Sequence, residues 1–282
     1  MKWQGRRTSG NVEDRRGRRA GVGLPLGGGI GGIVLLLLFS ALTGQSPLDL
    51  LGSLAPSEDA GSAPTGVPAD DPQAEFISVV LADTEETWGA LFEQAGGRYE
   101  APRLVLFTDA TQTACGLGSS ATGPFYCPAD RNVYLDLGFF RDLAQRFGAP
   151  GDFAQAYVVA HEVGHHIQTV TGLSEQVSAA RARADERESN ALSVRQELQA
   201  DCYAGVWGHY AAQRGLLEPG DVEEGLTAAA AIGDDRLQQQ GQGRVVPESF
   251  THGSSAQRVE WFRRGLDAGD LDACDTFSAA GR

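Results

Sequence analysis

Asp152-Phe-Ala-Gln-Ala-Tyr-Val-Val-Ala-His-Glu-Val-Gly-His-His-Ile-Gln-Thr-Val170 is the stretch that decides the reading of this sequence. The turns from Phe153 to Ala160 are largely apolar, which anchors the segment in a core. Asp152 stands as a candidate N-cap and Gly172 follows as a stop, so one helix is predicted over 152–170. Within it stands His161-Glu162-Val163-Gly164-His165. Positions i and i+4 share a helix face, so both imidazoles can reach one cation. Zinc takes histidine nitrogen readily, and a catalytic site leaves one position open for water. Glu162 flanks that position and can act as general base. Gly164 reads as a place where a neighbouring element approaches closely, because it carries no Cβ.

A third ligand is expected on another helix. Glu197-Leu-Gln-Ala-Asp201 supplies one, with Glu197 as the ligand. Asp201, one turn on, can accept the outer N–H of a ligating histidine and fix its tautomer. The alternative is a solvated acidic face. Against it, the flanking residues Leu198, Ala200, Cys202, Tyr203, Ala204 and Val206 are mostly apolar, and carboxylates buried there need partners. His166 points about 100° away from His165 and reads as a packing or rim residue. His252, at a predicted loop-to-helix junction, is a candidate for stabilising an oxyanion, with a capping role as the alternative. Tyr203 and His209 read as structural. Asp234-Asp235 reads as a solvated helix face rather than a cation site.

Working outward, the chain has 282 residues and a net charge of −14. An acidic body excludes nucleic acid as the natural partner, since phosphates call for Lys and Arg. The charge is unevenly placed. Lys2, Arg6, Arg7, Arg15, Arg16, Arg18 and Arg19 crowd the first twenty residues, ahead of an uncharged stretch from Ala20 to Pro47 centred on Ile30–Leu42. About 20 apolar residues span a bilayer. The predicted organisation is therefore a basic, disordered cytoplasmic tail over 1–20, a single transmembrane helix over 21–43, and a Pro/Ser/Gly/Ala/Asp-rich linker over 44–72. A folded body over 73–282 then lies outside the cytoplasm by the positive-inside rule. A cleaved signal peptide is the rival reading. Cys115, Cys127, Cys202 and Cys274 suit disulfides in an exported domain, paired 115–127 and 202–274, with four buried thiols as the alternative.

Within the body, hydrophobic periodicity predicts helices over 72–95, 175–213 (with a break near Asn190), 221–240 and 254–266. Strands are predicted over 103–108 and 132–137, with the Cys115–Cys127 loop between them. The fold class is α+β: a mostly helical domain with a small sheet.

These residues resemble a bacterial family of neutral zinc metallopeptidases anchored by one N-terminal membrane helix. The resemblance runs from Met1-Lys-Trp-Gln-Gly-Arg-Arg7 through Cys115-Gly116, Gly123-Pro-Phe-Tyr-Cys-Pro128, His161–Gln168, Glu197–Trp207 and His252–Arg258 to Ala273-Cys-Asp-Thr-Phe277. It implies a zincin-like, gluzincin-type peptidase with one zinc on His161, His165 and Glu197, acting on a peptide or protein. The strand over 132–137 is a candidate edge for an extended peptide. Two other readings stand beside it. One is a zinc-stabilised scaffold that binds a partner; the other is a metallohydrolase acting on non-peptide bonds.

Overall fold

The computed structural model describes residues 1–17 and 70–278. The expected membrane helix over 21–43, and all but the end of the expected linker over 44–72, lie outside the described residues. No helix among the described residues is long and apolar enough to cross a membrane.

The sheet is built from short, nearly all-apolar strands. Its four members are β1 (Val12–Asp14), β2 (Arg103–Phe107), β6 (Asn132–Asp136) and β5 (Phe125–Cys127), in the order β1-β2-β6-β5. β1, β2 and β6 run parallel, and β5 runs antiparallel to β6. Leu104 to Phe107 and Val133 to Leu135 are all buried, as expected where both faces of a parallel sheet are covered. β3 (Ala110–Thr113) and β4 (Gly116–Ser119) form a separate antiparallel ribbon.

β1 corrects the expected disordered tail. Val12 pairs with Leu104 and is 1% exposed. A three-residue strand set among arginines leaves no periodic signal, and its partner lies some ninety positions away. The second correction concerns the edge. The strand at 132–136 lies inside the sheet, between β2 and β5, so β5 is the edge on that side. β4 and β5 fall within what the sequence presents as the Cys115–Cys127 loop, and β3 lies just before it.

The helices match expectation where the apolar stripe is long. α1 (Pro72–Gln94) opens with Asp71 accepting from Ala74 N at 3.0 Å, and buries Phe76, Ile77, Val80, Leu81 and Trp88. α2 (Gly138–Gln145) is short and was not expected. α3 (Asp152–Val170) has the predicted span, with Gly151 rather than Asp152 in the cap position. The predicted helix over 175–213 divides into α4 (Leu173–Arg181) and α5 (Glu186–Gln213), and the break comes before Asn190, where Asp185 caps α5. The predicted helix over 221–240 likewise divides at Ile232-Gly233 into α6 (Asp221–Ala231) and α7 (Asp234–Gln242). α8 (Ser255–Ala268) starts at a reciprocal cap between Ser254 and Gln257.

α3, α5 and α8 pack against one another at the centre. A Cβ on Gly164 would stand 2.9 Å from the Ala200 carbonyl oxygen, so the close approach read from the sequence is the α3–α5 crossing. At the α5–α8 crossing a Cβ on Gly265 would overlap the backbone of Cys202. Both disulfides are formed. Cys115–Cys127 ties the β3–β4 turn to β5, and Cys202–Cys274 ties α5 to the single turn Leu271–Cys274 (Cα–Cα 5.8 and 5.5 Å). The second closes a span of 72 residues. Replacing Cys202 and Cys274 together by Ala is expected to cost about 2–4 kcal/mol of stability. Denaturant unfolding against the wild type measures it.

Candidate metal centre

α3 and α5 cross at their smallest residues, which brings one turn of each helix face to face. From α3 come His161 and His165; from α5 comes Glu197. One ligand atom of each lies within 4.8 Å of the others. His161 Nε2 is 3.2 Å from Glu197 Oε2, and His165 Nε2 is 3.5 Å from Glu197 Oε1.

The outer nitrogens determine what the inner ones present. His161 Nδ1 is 2.8 Å from Asp201 Oδ1, and a carboxylate only accepts, so Nδ1 carries the proton. His165 Nδ1 is 2.9 Å from Gln168 Oε1. The amide of Gln168 is oriented by its own Nε2, which donates to Gln196 O at 2.7 Å and Gln199 Oε1 at 3.1 Å. Nδ1 of His165 is therefore a donor too. In the neutral imidazoles each Nε2 then faces the Glu197 carboxylate with a lone pair. Acceptor facing acceptor calls for a cation between them. Two imidazoles, each held from behind, and a carboxylate facing both are a donor set that fits zinc.

The charge balance points the same way. Glu162, Glu197 and Asp201 set three carboxylates against the single guanidinium of Arg258 in this largely buried region. Burial opposes charge on His161, but Asp201 and Glu197 outweigh it and push its pKa up to about 10. Despite burial, the neighbouring histidines hold Glu197 well below the usual carboxylate range. Asp201 is also lowered, because Arg258 and His161 outweigh its burial. A proton on the imidazole and a metal ion are alternative ways to satisfy these carboxylates. Glu162 differs: burial raises its pKa and suits it to accepting a proton.

Asp201 has more partners than its spacing from Glu197 foretold. Arg258 grips both of its oxygens, Nε to Oδ2 at 2.8 Å and Nη2 to Oδ1 at 2.9 Å, and the Tyr157 hydroxyl donates to Oδ1 at 2.5 Å. Arg258, Tyr157 and Gln168 were missed as site residues. Each had a faint signal: Tyr157 lies four before His161, Gln168 three after His165, and Arg258 shares a helix face with Phe262 and Gly265. A charged residue on an apolar face asks for a buried partner.

The remaining candidates separate. His166 is turned out of the centre, between the Tyr126 hydroxyl and the Glu100 carbonyl at 3.1 and 2.6 Å. His252 lines the same open cavity of about 970 Å³ as His161, Glu162, His165 and Glu197. Its Nδ1 is 3.2 Å from Asp234 Oδ1. Asp234 is not solvated, which corrects the sequence reading: it is 8% exposed and accepts from the backbone N–H of Thr251, His252 and Gly253 at 2.7, 2.6 and 3.2 Å. Asp235 likewise takes Ser255 N and Oγ, both at 2.8 Å. The helix break at Gly233, invisible to periodicity, aims both acids at the lead-in to α8. The hydrogen bond to Asp234 raises the pKa of His252 and outweighs the partial desolvation of its ring on the cavity wall. β5 brings Phe125 and Tyr126 to another wall of the cavity.

A histidine pair one helical turn apart, a carboxylate from a second helix and a buried glutamate beside an open cleft are the arrangement that zinc-dependent hydrolases use. Residues 1–277 match the family described as "Putative neutral zinc metallopeptidase", and the chain belongs to it. It is 53% identical over 284 residues to the uncharacterized protein YpfJ of Escherichia coli (strain K12), covering 98% of this chain and 99% of that one. It is 43% identical over 247 residues to the uncharacterized protein Rv2575 of Mycobacterium tuberculosis (strain ATCC 25618 / H37Rv), covering 84% and 81%. No solved structure matches the chain.

Arg258→Met is expected to leave Asp201 buried beside a weakened partner set. A loss of about 3–5 kcal/mol in stability is expected from breaking this buried pair. Zinc affinity is expected to fall about 10–100-fold through the loosened His161. Thermal melts and competitive chelation measure the two effects separately.

Proposed function

We propose that this chain is a zinc-dependent peptidase that holds one zinc on His161, His165 and Glu197. The observation that carries the reading is the convergence of three ligand atoms within 4.8 Å, beside a buried Glu162 and an open cleft. A structural zinc site needs neither a base nor an opening, so these two features favour catalysis over a scaffold.

Zinc held there supplies the Lewis acidity that polarises a carbonyl and acidifies water. The residues of the chain do the rest. Glu162 takes the proton of the attacking water and passes it to the leaving amine. Asp201 and Gln168 fix the two imidazoles, and Arg258 and Tyr157 fix Asp201. His252, backed by Asp234, donates a hydrogen bond to the oxygen on which negative charge develops. To donate while Nδ1 remains bonded to Asp234, it must carry both protons.

An extended peptide suits the cleft better than a compact substrate. β5 has β6 on one side and no strand partner on the other among the described residues, so a substrate strand can add there. Phe139, Phe147, Val158, Ile232 and Leu237 line part of the wall, which favours an apolar side chain next to the scissile bond. The two disulfides favour a body that matures in an oxidising compartment.

The deciding experiment is metal content measured alongside hydrolysis of casein. Wild type is expected to hold one zinc per chain and to cleave in a chelator-sensitive way. Glu197→Ala is expected to lose both. Glu162→Gln is expected to keep the metal while turnover falls by a factor of about a hundred to ten thousand, the usual contribution of a general base; a fully active Glu162→Gln rules Glu162 out.

The role of His252 has its own signature. Its pKa is raised, so the doubly protonated form persists above the ordinary histidine range and is lost as pH rises through the shifted value. The alkaline limb of kcat/KM should therefore move to lower pH in Asp234→Asn. An unmoved limb would remove His252 from the mechanism.

A further inference from the structure

The N-terminal residues and the metal centre belong to one folded unit. Residues 1–17 join the rest of the described chain through backbone pairing: Leu104 N donates to Asn11 O at 2.9 Å, Arg15 N to Leu106 O at 2.8 Å and Lys2 N to Leu216 O at 2.7 Å. Met1, Ser9, Val12 and Glu13 are buried. The arginines that read as a cytoplasmic signal are engaged with the body. Arg7 pairs with Glu85 at 3.1 Å. Arg15 donates to the Gln112 carbonyl at 3.4 Å. Arg6 donates to the Arg214 carbonyl at 3.1 Å.

The point of exit adds a second constraint. Arg16 Nη1 lies 2.5 Å from Asp71 Oδ2, so the chain leaves the body just after Arg16 and re-enters it just before Asp71 at the same place. Between these points the uncharged stretch Ala20–Pro47 holds 28 residues. That is enough for one crossing of a bilayer, which needs about 20 apolar residues, and too few for two. One crossing would set Gly17 and Asp70 on opposite faces of a hydrocarbon layer about 30 Å thick. The β1–β2 ladder and the Arg16–Asp71 pair forbid that separation.

We propose that residues 1–17 and 70–278 lie on the same side of the membrane. The chain is then not a single-pass protein with its metal centre opposite its N-terminus. This inference does not depend on the peptidase reading.

Two measurements on the full chain test it. Thr8 and Asp267 are exposed, and each is replaced singly by Cys. Spheroplasts are treated with a membrane-impermeant maleimide before and after detergent. The two positions are expected to label under the same condition. Labelling of one in intact spheroplasts and of the other only after detergent overturns the proposal, as does a mature chain that has lost Thr8. The second measurement is the melting temperature of full-length Val12→Asp. Packing of β1 against the body predicts a drop of about 5 °C or more, because a charge replaces a buried methyl pair. A melting temperature equal to wild type overturns the proposal.

Discussion

One buried carboxylate organises the centre of this molecule. Asp201 is fully buried on α5, and its two oxygens take hydrogen bonds from His161 and Tyr157 of α3 and from Arg258 of α8. A charge in that position is tolerable only if every lone pair is met. The requirement fixes the relative placement of three helices from different parts of the chain. It also fixes the tautomer of His161, and with it the direction in which Nε2 points. Gly164 and Gly265 allow the helices to come close enough for the contacts to form.

Support for the ligands runs outward from that core in two directions. Behind His165, Gln168 passes the constraint to Gln196 and Gln199, and Gln199 donates to the Cys274 carbonyl at 3.1 Å. The Cys202–Cys274 disulfide thus holds the same end of the chain that steadies the second histidine. Around His252, Asp234 collects three backbone donors and places the imidazole on the cavity wall. The break between α6 and α7 creates that arrangement, since a continuous helix would carry Asp234 past the loop. The candidate metal ligands therefore sit on helices held by packing, while His252 stands on the loop before α8 and the cleft is completed by β5 and by segments around α2 and α4.

Legibility in the sequence follows the range of the interactions. The α3 span was readable because apolar spacing, a glycine stop and an i, i+4 histidine pair are all local. Glu197 and Asp201 were readable from their apolar neighbours on one helix. The two cysteine pairs were readable from spacing and chemistry. Other features were not. β1 is three residues long and flanked by charges. β5 lies inside a stretch rich in glycine and proline. The breaks at 182–185 and at Gly233 interrupt segments whose composition stays helical, and only capping by Asp185 and the pull of Asp234 on residues 251–253 place them. The partners of Arg6 and Arg7 near the N-terminus were not readable either, because sequence shows charge and not what meets it.

By itself, the sequence determined the elements whose causes are local. These are the amphipathic helices, the metal-binding residue types at one-turn spacing, and the acidic character of the body. The tertiary structure alone decided which partners meet. It set Arg258 and Tyr157 on Asp201, Gln168 on His165, Asp234 behind His252, and β1 beside β2. The physical reason is common to all four. Burial makes an unpaired charge or an unpaired backbone group costly. The sequence states that a partner is needed, and only the packing of distant segments determines which residue provides it.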